Sequence, residues 1–227
     1  MQFAVDENGI RTSINSSIKG KPYKCPCCGS EVIQKKGDIM IWHFAHKSLA
    51  DCVDYYDHKG EWHRAMQELF PEKNREVFEK TFMYRHIFDV LTDKGRIIEF
   101  QHSPISINDF QKRAHDYLLR SIFEETKRAI WVFDFSEREF SVGSKRYDWN
   151  KRARKMYWSR AKNLFGDYRN YNGQAQYELW MFISPYSSRL DKNVNIFFRV
   201  LGAYSECHSL IGEVYTKEEF EKYITSQ

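Results

Sequence analysis

The 227-residue chain is 42% apolar, 29% charged and 16% aromatic, a content that folds rather than staying disordered. No run approaches the roughly 18 apolar residues of a membrane span, and residues 1–20 lack the apolar stretch of a signal peptide, so the cytoplasm is the expected compartment. The net charge of +4 conceals a local excess, because residues 145–162 hold eight basic side chains against Asp148 alone.

In chain order, residues 1–22 alternate weakly and carry turn signals at Asn8-Gly9 and Lys19-Gly20-Lys21-Pro22, which predicts a short hairpin. A cysteine and histidine cluster fills residues 23–52. Residues 61–70 have helical spacing at Trp62, Met66, Leu69 and Phe70, closed by Pro71. Three strands are expected at 76–84, 86–92 and 96–102, with Asp93-Lys94-Gly95 turning between the last two. Ser106, with Asp109 three residues on, starts a helix running to about residue 127. The apolar run 129–135 reads as a buried strand. A basic helix is expected from Asn150 with Gly166 as its cap, then strands at 177–184 and 194–201, and a last helix near Thr216 capped with Glu219. The order is that of an α/β (α+β) protein in three parts: an N-terminal hairpin and cysteine–histidine knuckle (1–57), a core (58–136) and a C-terminal extension (137–227).

The cysteines favour a metal over disulfides. Three crowd together at Cys25, Cys27 and Cys28, Cys52 follows, and Cys207 stands apart, an odd and clustered set. Cys25-x-x-Cys28 on a turn puts two thiolates toward one ion, and His43-x-x-His46 follows after fourteen intervening residues. Four such ligands suit a closed, structural Zn²⁺ site. The spacing leaves open Cys27 in place of Cys28, and Cys52 or His58 in place of His43.

A second constellation lies in the core strands. Side chains alternate along a strand, so Ile97, Glu99 and Gln101 share one face. Glu99 interrupts an apolar strand, as Asp89 does within Ile87–Leu91. Pairing across the Asp93–Gly95 turn would bring the two carboxylates together, a costly arrangement that a hard cation such as Mg²⁺ relieves. The alternative is an ordinary buried carboxylate satisfied by Arg85 or Arg113. The basic segment adds Lys151, Arg152, Arg154 and Lys155 for phosphates, and Tyr147, Trp149 and Trp158 for stacking on unpaired bases.

These segments together resemble the competence-protein CoiA-like nuclease family, a branch of the PD-(D/E)xK nucleases. The resemblance rests on KCPCCG, HFAH, EWH (Glu61 to His63), FDV, IIEFQHSPIS and FQKRAHDY, in the family's order, over roughly residues 20–135. It implies an αβββαβ core with Asp89 and Glu99 as ligands of Mg²⁺ or Mn²⁺, and Gln101 at the usual lysine position. Glu61 would complete or water-bridge that site, and His63 would approach the phosphate. Arg113 and Tyr117, one turn apart on the following helix, would contact DNA. Where the family pattern continues past Glu-x-His with a lysine, this chain has Met66 and Gln67.

The expected function is metal-dependent hydrolysis of single- or double-stranded DNA by an endonuclease or nickase, in DNA uptake, recombination or mobile-element defence. A homodimer and recombination or defence proteins are its candidate partners. The alternatives are a catalytically silent DNA-binding module that keeps the zinc knuckle, and a zinc-dependent protein adaptor.

Overall fold

Gly9 closes the first hairpin because its φ of +78° is open to glycine at no steric cost. In this computed structural model the described residues are 1–48, 52, 60–80, 85–102, 104–136, 141–143, 153–157, 175–183, 196–204 and 209–227. The chain divides into two compact units, Met1–Leu91 and Thr92–Gln227. The division falls inside the 58–136 segment.

The first unit holds a five-stranded antiparallel sheet in the order β2-β1-β3-β4-β5. Its strands are β1 (Phe3–Val5), β2 (Arg11–Ser13), β3 (Tyr23–Lys24), β4 (Glu31–Lys35) and β5 (His43–His46). Their inward face buries Ala4, Tyr23, Val32 and Phe44 with Ile14 and the cysteines. Helix α1 (Glu61–Glu68) and the antiparallel pair β6 (Arg75–Lys80) and β7 (Arg85–Leu91) complete the unit. Ile87 joins the same core and Phe78 packs against it. Gln2 ties sheet to helix, its Nε2 donating to Gln67 Oε1 at 2.6 Å and its backbone N–H to Glu76 Oε2 at 2.6 Å.

The second unit is a mixed seven-stranded sheet, ordered β10-β11-β14-β13-β12-β9-β8. Strands β8 (Ile97–Gln101), β9 (Ile130–Asp134) and β12 (Glu178–Ile183) run parallel. β13 (Ile196–Tyr204), β14 (Ser209–Thr216), β11 (Ala153–Tyr157) and β10 (Ser141–Gly143) extend it antiparallel. Helix α2 (Ile107–Phe123) connects β8 to β9, and α3 (Lys217–Thr225) follows β14. The two helices cover opposite faces. Phe110 and Tyr117 of α2 meet Trp131, with ring centroids 4.9 and 5.8 Å apart. Phe220 of α3 meets Trp180, which stands in register with Val132, the neighbour of Trp131, and so points the other way.

Both caps form as read: the Ser106 hydroxyl accepts from the Asp109 N–H, and Thr216 and Glu219 make a reciprocal capping box. Helix α2 ends at Phe123 rather than near 127, because Glu125 takes a left-handed φ of +52° that stops the helix. The basic helix is corrected over Ala153–Tyr157, which is a strand paired with both β10 and β14. There a ladder to residues more than fifty positions away overrides local helix propensity. Lys151, Arg152, Tyr147, Trp149, Trp158 and Gly166 lie outside the described residues, as do Cys207 and His58.

Candidate functional site

The turn after β3 folds Cys25, Cys27 and Cys28 back on themselves, with Gly29 at φ +76° and its N–H donating to the Cys25 carbonyl at 2.9 Å. Cys25, Cys28, His46 and Cys52 gather so that their ligand atoms all lie within 4.8 Å of one another. Cys25 Sγ is 3.8 Å from Cys52 Sγ, and Cys28 Sγ is 3.3 Å from His46 Nε2. Tetrahedral zinc with its usual bond lengths separates two sulfurs by roughly 3.8 Å, and a sulfur from a nitrogen by roughly 3.5 Å. The donor set therefore fits a zinc ion. Hydrogen bonding to Cys52 and burial push the Cys25 thiol up, and burial pushes His46 down. The imidazole is thus held neutral, ready to ligate, while the thiol keeps its proton until a metal displaces it.

Cys52 takes the place expected for His43. The HFAH segment is a strand, so residues three apart point to opposite faces. His46 stands in register with buried Val32 and faces the cluster. His43 stands in register with exposed Lys35, and its Nδ1 donates to the Ile41 carbonyl at 2.8 Å.

Asp89, on β7 of the first unit, is 3% exposed. His63 and Gln67, one turn apart on α1, both reach it. His63 Nε2 lies 3.0 Å from Asp89 Oδ1, and Gln67 Nε2 donates to the Asp89 carbonyl at 3.1 Å and to Oδ1 at 3.3 Å. His63 is 1% exposed and holds the carboxylate. Gln67 marks the departure from the family pattern, and it fills the gap as an amide donor. Glu61 is exposed. Two residues along a helix turn through about 200°, so the face that presents His63 to Asp89 turns Glu61 outward.

Glu99, on β8 of the second unit, is 2% exposed, and Gln101 is 9% exposed on the same strand face. Helix α2 satisfies Glu99 at both oxygens. Arg113 Nη2 donates to Oε2 at 2.5 Å and the Tyr117 hydroxyl to Oε1 at 3.0 Å. Arg113 also donates to the Tyr117 oxygen from Nε at 3.2 Å, and its guanidinium lies over Trp131, 5.3 Å from the ring centroid. Burial raises the Tyr117 phenol well above its ordinary value, so it stays a neutral donor. Of the two partners read as alternatives for Glu99, Arg113 is the one present; Arg85 instead donates to the Cys27 carbonyl.

One further carboxylate escaped sequence reasoning. Glu178, on the α3 face of β12, accepts from Arg96 at 2.8 Å, Trp180 Nε1 at 2.7 Å and the Tyr223 hydroxyl at 2.7 Å. Arg199 Nε lies 3.2 Å away as an ion pair without hydrogen-bond alignment. No local motif marks Glu178; apart from Trp180 on its own strand, its partners Arg96, Arg199 and Tyr223 come from three distant segments.

Two family models match the chain: competence protein CoiA, N-terminal domain, over residues 8–54, and competence protein CoiA, nuclease-like domain, over residues 72–182. The chain belongs to the competence protein CoiA-like family. No curated protein and no solved structure matches it. The CoiA N-terminal match encloses Cys25, Cys28, His46 and Cys52, and the CoiA nuclease-like match encloses Asp89, Glu99, Gln101, Arg113 and Tyr117. The nuclease-like domain suggests a nuclease-type function in competence. Among the described residues no helix is long and apolar enough to cross a membrane.

Proposed function

We propose that this protein is a divalent-metal-dependent DNA nuclease, acting as an endonuclease or nickase during DNA uptake and recombination. The observation that carries the reading is the state of two acids. Asp89 and Glu99 are both buried, and each is held by two side chains of the helix beside it in its own unit. Burying a carboxylate is expensive, and orienting it with dedicated donors suits a group kept to bind something.

In this reading Asp89 and Glu99 are ligands of Mg²⁺ or Mn²⁺, a role resting on the strand sequence and on the family. A carboxylate has about four lone-pair sites, so oxygens that accept one or two hydrogen bonds keep room for a cation. When bound, the ion would ionise a water and stabilise charge on a phosphate oxygen. His63 and Gln67 fix the rotamer of Asp89. Gln101 orients water or contacts the phosphate. Arg113 and Tyr117 position Glu99, and the quarter-exposed guanidinium of Arg113 can also neutralise DNA. Lys151, Arg152, Arg154 and Lys155 contact phosphates, on charge grounds alone. Zinc at the Cys25–Cys28–His46–Cys52 cluster is structural, since four ligands leave no open position.

The test is incubation with plasmid and linear DNA in Mg²⁺ or Mn²⁺, beside Asp89→Asn and Glu99→Gln. Cleavage by the parent and background rates in both variants is the expected result; equal cleavage by parent and variants sinks it. A second reading, a silent DNA-binding module, is favoured by Arg113 and Tyr117 satisfying both Glu99 oxygens. DNA binding without cleavage in either metal would establish that reading instead.

A further inference from the structure

The loop joining β4 to β5 exposes an unusual run of side chains. Ile39 is 99% exposed, Met40 68% and Trp42 43%. Soluble surfaces carry single exposed apolar residues routinely, but three within four positions at the tip of a hairpin form a protruding apolar point. The tip is built to hold a shape. Trp42 Nε1 donates to the Gly37 carbonyl at 3.1 Å, Arg64 Nη2 donates to the Trp42 carbonyl at 2.6 Å, and the Lys36 ammonium lies 5.2 Å from the Trp42 ring centroid. At its base, His46 of β5 joins Cys25, Cys28 and Cys52.

Charge identifies the occupant. Between Lys19 and Lys47 the chain has six lysines and two carboxylates. On the solvent face of β4 and β5, Lys35 stands opposite His43, and Ile33 opposite Ala45. Lys35 and Lys36 lie at the tip end of the hairpin beside the single acid Asp38, while Lys24 and Lys47 flank Glu31 at its other end, Lys47 pairing with it at 2.9 Å. An apolar wedge flanked by cations is the arrangement by which proteins enter a base step of a duplex while neutralising the phosphates on either side. A second copy of this chain is disfavoured, since two identical lysine-rich faces repel. A lipid surface is disfavoured because the indole N–H of Trp42, which would seek headgroups, is already bonded within the hairpin.

We infer that the β4–β5 hairpin is a DNA-entering wedge: Ile39, Met40 and Trp42 insert at a base step of duplex DNA, and Lys35 and its neighbours hold the flanking phosphates. The inference rests on DNA being the substrate, as proposed above, and adds that the zinc-binding part of the chain grips and unstacks it. His43, which does not join the metal cluster, stands on this same gripping face.

The experiment uses the whole, zinc-loaded protein without other divalent ions, so that no cleavage intervenes. Binding to a short duplex containing 2-aminopurine is followed by anisotropy across a salt series, and unstacking by the fluorescence of the probe base. For Ile39→Ser/Met40→Ser the expected results are about tenfold weaker binding, loss of the fluorescence rise and an unchanged salt slope. For Lys35→Gln the salt slope should fall by about one, with the fluorescence rise retained. Both variants alter exposed groups, and unchanged zinc content and circular dichroism show that each is folded. If the parent binds and cleaves DNA but Ile39→Ser/Met40→Ser binds and unstacks it equally well, the wedge is overturned and the nuclease reading stands. If that variant loses only binding to phosphatidylserine-containing vesicles, the tip is a membrane contact and the wedge is again overturned. A parent that neither binds nor cleaves DNA overturns both.

Discussion

Gln67 follows His63 by one turn of α1, and together they fix one carboxylate. Gln67 accepts from Gln2 through Oε1 and donates to Asp89 through Nε2, so its amide is used at both ends. Leucine there would keep the volume and abolish all three bonds, leaving buried partners unsatisfied. Gln67→Leu should destabilise the fold by about 1–3 kcal/mol, read by chemical denaturation. His63→Asn should leave the zinc content untouched, because the metal cluster uses other residues. Zinc analysis also separates the two candidate fourth ligands: Cys52→Ser should lose the metal, while His43→Ala keeps about one ion per chain. Retention of zinc by Cys52→Ser would refute the Cys₃His assignment. The pairing of Cys25 with Cys28 was legible because a turn spacing is local. The choice between His43 and Cys52 was not, since it depends on whether HFAH is a helix or a strand, and that is set by pairing with Glu31–Lys35.

At the scale of elements, α3 is fastened to the sheet by Glu178. Burial alone would push this carboxyl up, but Arg199 and Arg96, with Tyr223 and Trp180, hold it below the usual range. A carboxyl depressed in the folded state stabilises fully above its unfolded value, about 4.3, and loses that contribution as pH falls through its folded value. Glu178→Gln should therefore flatten the acid limb of stability below about pH 4.3. It should also cost roughly 3 kcal/mol near neutrality, because Arg96 and Arg199 lose their counter-charge. A pH series of thermal melts reads both effects. Gly212 is a second fastening: a Cβ there would overlap the Arg199 carbonyl oxygen and press on the Phe198 ring. Gly212→Ala should split β13 from β14 locally, seen as faster amide exchange in both strands. The strands and caps from β6 to β9 were legible because apolar runs, a glycine turn and Ser106 are local signals. β10, β11 and β14 were not, since Ala153–Tyr157 owes its extended form to Ser209–Glu213.

For the whole molecule, the two family matches divide the cysteine–histidine cluster from the buried acids along the chain. The N-terminal match carries the thiolate cluster and the nuclease-like match carries the buried acids. Removing zinc with a strong chelator under reducing conditions should accelerate amide exchange in β1 and β3–β5, while β9 and β12 keep their protection. Loss of protection in β9 and β12 as well would show that the ion supports more than its own unit. The Asp89 and Glu99 positions stood out in the sequence as acids interrupting apolar strands, and Arg113 as a partner for a buried acid; that His63 and Gln67 hold Asp89, and Tyr117 holds Glu99, was not legible. His63, Gln67, Arg113 and Tyr117 find their carboxylates only once α1 and α2 have packed.

A zinc ion held by Cys25 and Cys52 would have a topological result. It would close a ring spanning 27 positions of chain, and the entire β4–β5 hairpin lies inside that ring. On the polymer account, such a closure removes roughly 3–4 kcal/mol of disorder from the unfolded chain, as a covalent staple would. A protease that nicked the exposed Ile39–Met40 tip would therefore not release the fragments. The two pieces should migrate as one particle while the ion is present, and part only when it is stripped away.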